Sequence, residues 1–193
     1  MEITTEQIKA LRDETGVSVM QCKKALEEAG GDVEKARIIL RKKSGEIAAK
    51  KGDRTLASGA VAAYVHSTGT VGAMVLLSSE TDFVSKNEEF RKLAYDLAMH
   101  VAATNPKFLT FEHISEEERG KAREVFLEEV KDKPADLQEK ILEGKLASYF
   151  REQALLEQPY IKDGERTVRD LLSQAVQKFG ERIEITRFVR FSN

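Results

Sequence analysis

The sequence predicts an α+β fold, with an N-terminal bundle of three helices followed by a core that has a three-stranded antiparallel sheet covered by helices. Three observations lead there. Short apolar stripes of helical period, each with its own capping residue, fill the first 40 positions. Two alternating apolar runs, 59–66 and 71–77, flank the turn residues Ser67-Thr68-Gly69-Thr70, and a third alternating run closes the chain at 181–191.

In the N-terminal module Thr4 with Gln7 forms a capping box, Ile8 and Leu11 share a face, and Thr15-Gly16 stops the helix. Ser18 with Gln21 forms a second box and starts a helix carrying Cys22, Ala25, Leu26 and Ala29 to the stop at Gly30-Gly31. Asp32 caps a third, with Val33, Ala36, Ile39 and Leu40 on its apolar side. Helices this short are marginal alone and must pack on one another, which gives a module over residues 1–40. So small a bundle leaves some apolar side chains outside. Val19 and Met20, at the start of the second helix, are the candidates, with gap-filling in the core the alternative for Met20.

Residues 41–55 read as a basic linker: from Arg41 to Arg54 there are six basic residues, two acids and two glycines. The expectation is a solvated helix extension and hinge. No aromatic interleaves the charges to stack a base, and with 31 basic against 33 acidic residues the net charge is -2, so no bulk field draws nucleic acid to the chain.

The core, 56–193, opens with the hairpin, in which Val61, Ala63 and Val65 share a face. Phe90, Leu93, Ala94, Leu97, Ala98 and Val101 then mark a helix stopped by Thr104-Asn105-Pro106. Ser115 with Glu118 caps another, and Pro134 opens the next, where Gly144 suggests a close backbone approach. Thr167 with Asp170 caps the last helix, closed by Gly180. The terminal strand, with Ile183, Ile185, Val189 and Phe191 on one side, returns to pair with the hairpin.

Little in the chain points to catalysis. His66, His100 and His113 are scattered, the one cysteine, Cys22, is remote from them, and no phosphate-cradling glycine loop appears, so neither a metal nor a cofactor is expected. Asp82 has no neighbouring nucleophile or partner base, so the chain reads as a non-enzyme. A single cysteine fits a reducing compartment. No apolar run approaches the ~18 residues of a membrane span, and Met1-Glu2-Ile3-Thr4 does not begin a signal peptide, so a cytoplasmic location is expected.

Between the second strand and the helix that follows lies Thr81-Asp82-Phe83-Val84, a polar, acidic turn with an aromatic. From position alone the ring is either a plug for the chain's own core or a contact for another molecule.

The stretch Glu80-Thr81-Asp82-Phe83-Val84-Ser85-Lys86-Asn87 resembles the signature loop of the elongation factor Ts family, nucleotide exchange factors for the translation GTPase elongation factor Tu. Leu11-Arg12-Asp13-Glu14-Thr15-Gly16 with Cys22-Lys23-Lys24-Ala25-Leu26 resembles the family's N-terminal signature, whose module is similar to ubiquitin-associated domains. Ile141-Leu142-Glu143-Gly144-Lys145-Leu146, Gln158-Pro159-Tyr160-Ile161-Lys162-Asp163 and Arg187-Phe188-Val189-Arg190-Phe191 resemble its C-terminal half. The chain departs from the family at Ser78, where members often carry Asn, and in holding one copy of the core subdomain where longer members hold two.

The resemblance implies binding to GDP-bound and nucleotide-free elongation factor Tu and promotion of GDP release by disturbance of its Mg²⁺ and phosphate site. It implies partner contacts by Thr81, Asp82, Phe83 and Val84, and by Arg12, Val19, Met20 and Lys23 of the N-terminal module. His66, in a Tyr-x-His stretch, reads either as a further contact or as a polar strand end. Short members pair, so a homodimer is expected. The alternative is a ubiquitin-associated-type adaptor that binds a partner without exchange activity.

Overall fold

The computed structural model describes residues 3–193. Helices α1 (Thr5–Thr15), α2 (Val19–Glu28) and α3 (Val33–Ala49) begin at Thr4, Ser18 and Asp32, whose side chains accept from Gln7, Gln21 and Lys35 backbone N–H groups. The box at Thr4 is reciprocal, since Gln7 Oε1 accepts the Thr4 N–H at 3.0 Å. Leu11, Val17, Cys22, Ala25, Leu26, Ala36 and Leu40 form this module's core.

Residues 41–49 are the second half of α3, the helix extension expected of this stretch, but one side of it is not solvated. Ser44 is buried there, donating to Leu40 O at 2.9 Å and bonding the Gln177 amide oxygen, while Ile47 and Ala48 pack on the main core. That burial outweighs the roughly 1 kcal/mol that Gly45 costs inside a helix.

Strands β1 (Ser58–Val65), β2 (Val71–Ser79) and β5 (Ile183–Ser192) form an antiparallel sheet in the order β1-β2-β5, so the last strand pairs with β2, as the returning terminal strand required. A bulge after Leu76 sets Thr186 out of register, and its hydroxyl bonds that of Ser78. One face of the sheet is covered by α5 (Glu88–Thr104) and α8 (Val168–Phe179). Ala73, Val75, Leu77, Ile183 and Ile185 meet Phe90, Leu97, Val101, Leu172 and Val176 there, and Phe90 packs edge-to-face on Phe179 with centroids 6.0 Å apart.

In β1 it is Ala60, Ala62 and Tyr64 that face the helices, whereas Val61, Ala63 and Val65 lie on the outer face. Small residues let α5 approach the sheet closely. The outer face also carries Met74, Val189 and Phe191, and is apolar and exposed.

Helices α6 (Glu116–Val130) and α7 (Ala135–Gln153) form a hairpin over a smaller cluster of Ile114, Ala122 and Phe150. Gly144 in α7 faces open space, so no close backbone approach explains it. A two-stranded element not foreseen from the sequence, β3 (Pro159–Tyr160) with β4 (Asp163–Thr167), follows α7. It is tied to α5 by buried His100, whose Nδ1 accepts the Ile161 N–H at 3.3 Å and whose Nε2 therefore donates to Gln158 Oε1 at 2.8 Å. No helix among the described residues is long and apolar enough to cross a membrane.

Candidate functional site: the Phe83 turn

After β2 the buried Ser79 hydroxyl donates to Thr81 O at 3.0 Å and turns the chain into α4 (Asp82–Ser85), a single helical turn. Ser85 is buried and its hydroxyl bonds that of Ser58 at 2.8 Å, while Asn87 Oδ1 accepts from Glu89 and Phe90 N–H and starts α5. The backbone is thus fixed on both sides of position 83.

Phe83 itself is 84% exposed, so the core-plug reading fails. Val84, the next residue, is 4% exposed and belongs to the main core, so of the four loop residues expected to touch a partner this one instead anchors the turn. A one-turn helix directs adjacent side chains about 100° apart, and with Val84 inward Phe83 is left outward. Asp82 is exposed and pairs with Lys86 at 2.6 Å. The Lys86 ammonium holds its carboxyl below the usual value, leaving a fully charged acid beside the ring.

Thr81 is the N-cap of α4, yet its side chain makes no capping bond. Its N–H and hydroxyl instead donate to Glu181 at 3.0 and 2.5 Å, across 100 residues of chain. Glu80 answers in the other direction, accepting the Arg182 N–H at 2.5 Å and the Arg54 guanidinium at 3.2 Å. These donors, Arg182 first, hold its carboxyl below the usual range. Sequence reasoning missed both glutamates, and no local signal marks a pairing at that separation.

Val19 and Met20 are 54% and 63% exposed at the start of α2, with Lys23 one turn further along the same helix. Arg12, in the last turn of α1, and Lys23 are exposed and hold only surface ion pairs, to Asp13 at 3.5 Å and Glu27 at 3.8 Å. These residues flank the turn at Gly16. Against Gly16 lies the Lys178 side chain, 3.2 Å from where a Cβ would stand, and its ammonium reaches Glu89 at 2.8 Å, two residues beyond the Asn87 cap. The end of α8 therefore ties the N-terminal patch and the Phe83 turn to one end of the molecule.

His66 lies elsewhere. Ser58 pairs with Ser79 beside the turn, and His66 follows the far end of β1, roughly 26 Å away at about 3.3 Å per residue. It is exposed, with Nδ1 bonded to Tyr64 Oη at 3.0 Å. The structure does not bring it to the other candidates.

Clefts of about 280 and 560 Å³ flank the α6–α7 hairpin, lined by Phe126 and Tyr149 on one side and by Arg119, Arg123 and Glu143 on the other. Neither holds a nucleophile paired with a base. Among the described residues no group of His, Cys, Asp and Glu is placed to hold a metal.

The site is thus an exposed aromatic on a turn held from both sides, with an acid beside it and a second exposed apolar pair at the start of α2. Comparison with known proteins places it more closely. The family model described as Elongation factor TS matches residues 2–193. The chain is similar to proteins named Elongation factor Ts from Thermotoga petrophila and Thermodesulfovibrio yellowstonii, each 47% identical and covering 99% of this chain and 96% of the relative. It is similar also to that of Carboxydothermus hydrogenoformans, 47% identical over 98% of this chain and 88% of the relative. The chain belongs to the elongation factor Ts family of translation elongation factors.

Proposed function

We propose that this chain binds elongation factor Tu carrying GDP and speeds GDP release, with Phe83 as the group that separates the two nucleotide states and Asp82 beside it acting on the Mg²⁺ and phosphate region. The observation that carries this reading is the exposure of Phe83, 84% in the free chain, on a turn whose neighbours are all held. GTPases of the P-loop class hold nucleotide through backbone amides and Mg²⁺. A factor that favours release must bind the nucleotide-free form better than the GDP form, and by linkage GDP weakens the factor's own binding equally. Burial of one phenylalanine side chain contributes about 1.5 to 3 kcal/mol, and each ~1.4 kcal/mol is tenfold. A ring buried only against the nucleotide-free form thus accounts for about ten- to a hundredfold.

Arg12, Val19, Met20 and Lys23 supply affinity common to both states, which anchors the complex without favouring release. On this reading the N-terminal helices are the docking module and 56–193 the working core. The chain acts in the cytoplasm, performs no covalent chemistry and needs no cofactor or nucleic acid of its own.

Pairing of two chains is part of the proposal, and the outer sheet face supports it. Val61, Val65, Met74, Val189 and Phe191 are exposed on adjacent strands, an apolar surface of the kind that two sheets cover by stacking about 10 Å apart. Sedimentation at micromolar concentration is expected to give the mass of two chains and Val65→Lys with Met74→Lys that of one. A monomeric wild type removes the pairing.

The function is tested by the release of a fluorescent GDP from elongation factor Tu with and without the chain. Acceleration is expected. Binding without acceleration would leave only an adaptor.

A further inference from the structure

We infer that Glu181 is a positioning residue for Phe83, acting with Glu80 as a reciprocal clamp between the Glu80-Thr81 and Glu181-Arg182 dipeptides; the inference rests on the proposed role of Phe83 in nucleotide release. Each carboxylate accepts the backbone N–H of the residue that follows the other: Glu181 takes Thr81 N–H at 3.0 Å and Glu80 takes Arg182 N–H at 2.5 Å. The Thr81 hydroxyl adds a third bond to Glu181 at 2.5 Å. The clamp is braced in turn, because Arg54 reaches both Glu80 oxygens at 3.2 and 3.3 Å, Arg182 donates back to Arg54 O at 2.6 Å, and Glu184 holds the Arg182 guanidinium at 2.7 and 2.9 Å.

The cap geometry says what the clamp is for. A threonine at an N-cap ordinarily turns its oxygen inward to accept from the first helical turn. Thr81 has the extended backbone of an N-cap but spends its hydroxyl outward on Glu181. A helix of four residues does not hold itself, so on its N-terminal side α4 is fixed by a carboxylate from the α8–β5 turn. Phe83 is two residues further on and touches almost nothing of its own chain, so the direction of its ring is set by this backbone. Glu181 also follows Gly180, which ends α8 in the left-handed conformation at φ 72°, one residue after Phe179 and two after Lys178. The clamp therefore fixes the Phe83 turn to the helix end that also carries the N-terminal patch.

Freeing the backbone of one residue costs what its ordering on binding then takes back, which corresponds to about five- to thirtyfold in rate. The test uses the full chain with Glu181→Ala and Glu181→Gln. In Glu181→Ala the Thr81 amide, followed by NMR hydrogen exchange in the free chain, is expected to exchange at least about tenfold faster. The rate of GDP release at saturating factor falls about five- to thirtyfold, and Tm moves by less than about 5 °C. Glu181→Gln, which keeps an acceptor for the Thr81 N–H, recovers part of both losses. In a Phe83→Ala background Glu181→Ala has no further effect on release, because the residue acts through the ring. Unchanged Thr81 exchange, an unchanged release rate, a full additional loss in the Phe83→Ala background, or a Tm fall beyond about 10 °C would each overturn the inference. A wild-type chain that does not accelerate release refutes the proposed function; a working wild type matched by a working Glu181→Ala refutes the clamp alone.

Discussion

Replacing Phe83 by alanine separates contact from packing, because the two readings of an aromatic side chain differ by several kcal/mol in the free protein. A core phenylalanine cut to alanine costs about 3 to 5 kcal/mol. Phe83 has 84% of its surface open, so only the remaining sixth of that loss applies, about 0.5 to 0.8 kcal/mol. For a chain of this size each kcal/mol moves Tm by about 2 to 4 °C, and the expected shift is roughly 1 to 3 °C. Against elongation factor Tu the whole ring is at stake. Its burial contributes about 1.5 to 3 kcal/mol, so stopped-flow release of a fluorescent GDP at saturating factor should slow about ten- to a hundredfold. A melting temperature that collapses by 10 °C or more would mean that the ring is structural, and an unchanged release rate would remove Phe83 from the mechanism. The exposure of the ring speaks against the first result, and the release assay decides the second.

Phe90, seven residues on and fully buried against Phe179, supplies the opposite case: Phe90→Ala should lose about 3 to 5 kcal/mol and roughly 6 to 20 °C of Tm, and a small shift would contradict the core assignment. Met20→Ala should raise the factor concentration for half-maximal release about tenfold or more while leaving the saturating rate alone; a lowered saturating rate would show that the patch discriminates between nucleotide states. Acid should weaken the fold through His100. Burial holds its imidazole below the ordinary value of 6.5, against a smaller opposing pull from Gln158. The unfolded chain therefore takes up the proton first, and this contribution, complete above pH 6.5, is lost as pH falls through that value toward the lower folded pKa. Urea midpoints between pH 7 and 5 should fall further for the wild type than for His100→Asn, and parallel curves would exclude the effect.

Much of the fold was legible because its elements announce their own ends. The boxes at Thr4 and Gln7, Ser115 and Glu118, and Thr167 and Asp170 form as reciprocal pairs, that at Ser18 and Gln21 forms only through the Ser18 side chain, and the left-handed stops at Gly16, Asn105 and Gly180 lie where the sequence put them. Strand alternation gave the period of β1 but not which side is covered. Val61 and Val65 lie outward with Ala63, while Ala60, Ala62 and Tyr64 pack on the helices. The packing of the second half of α3 was hidden because its basic residues look solvated, although buried Ser44 and partly buried Ile47 and Ala48 run between them. At the candidate site, Phe83 stood out as an aromatic without a place in either neighbouring element. Val84 was grouped with it through the resemblance of the whole stretch to a family signature, and one step of about 100° along a helical turn carries its side chain inward. Glu80 stood only as the first residue of the signature stretch, and its pairing with the Glu181 turn carried no signal, because the bonds join residues about 100 positions apart.

A single fluorine label decides whether position 83 meets another protein. With fluorophenylalanine at Phe83, the ¹⁹F resonance of the free chain should be that of a solvent-exposed ring, should shift and broaden on addition of nucleotide-free elongation factor Tu, and should return when GDP is added. A resonance that stays at its free position in a saturated complex would contradict the proposed mechanism.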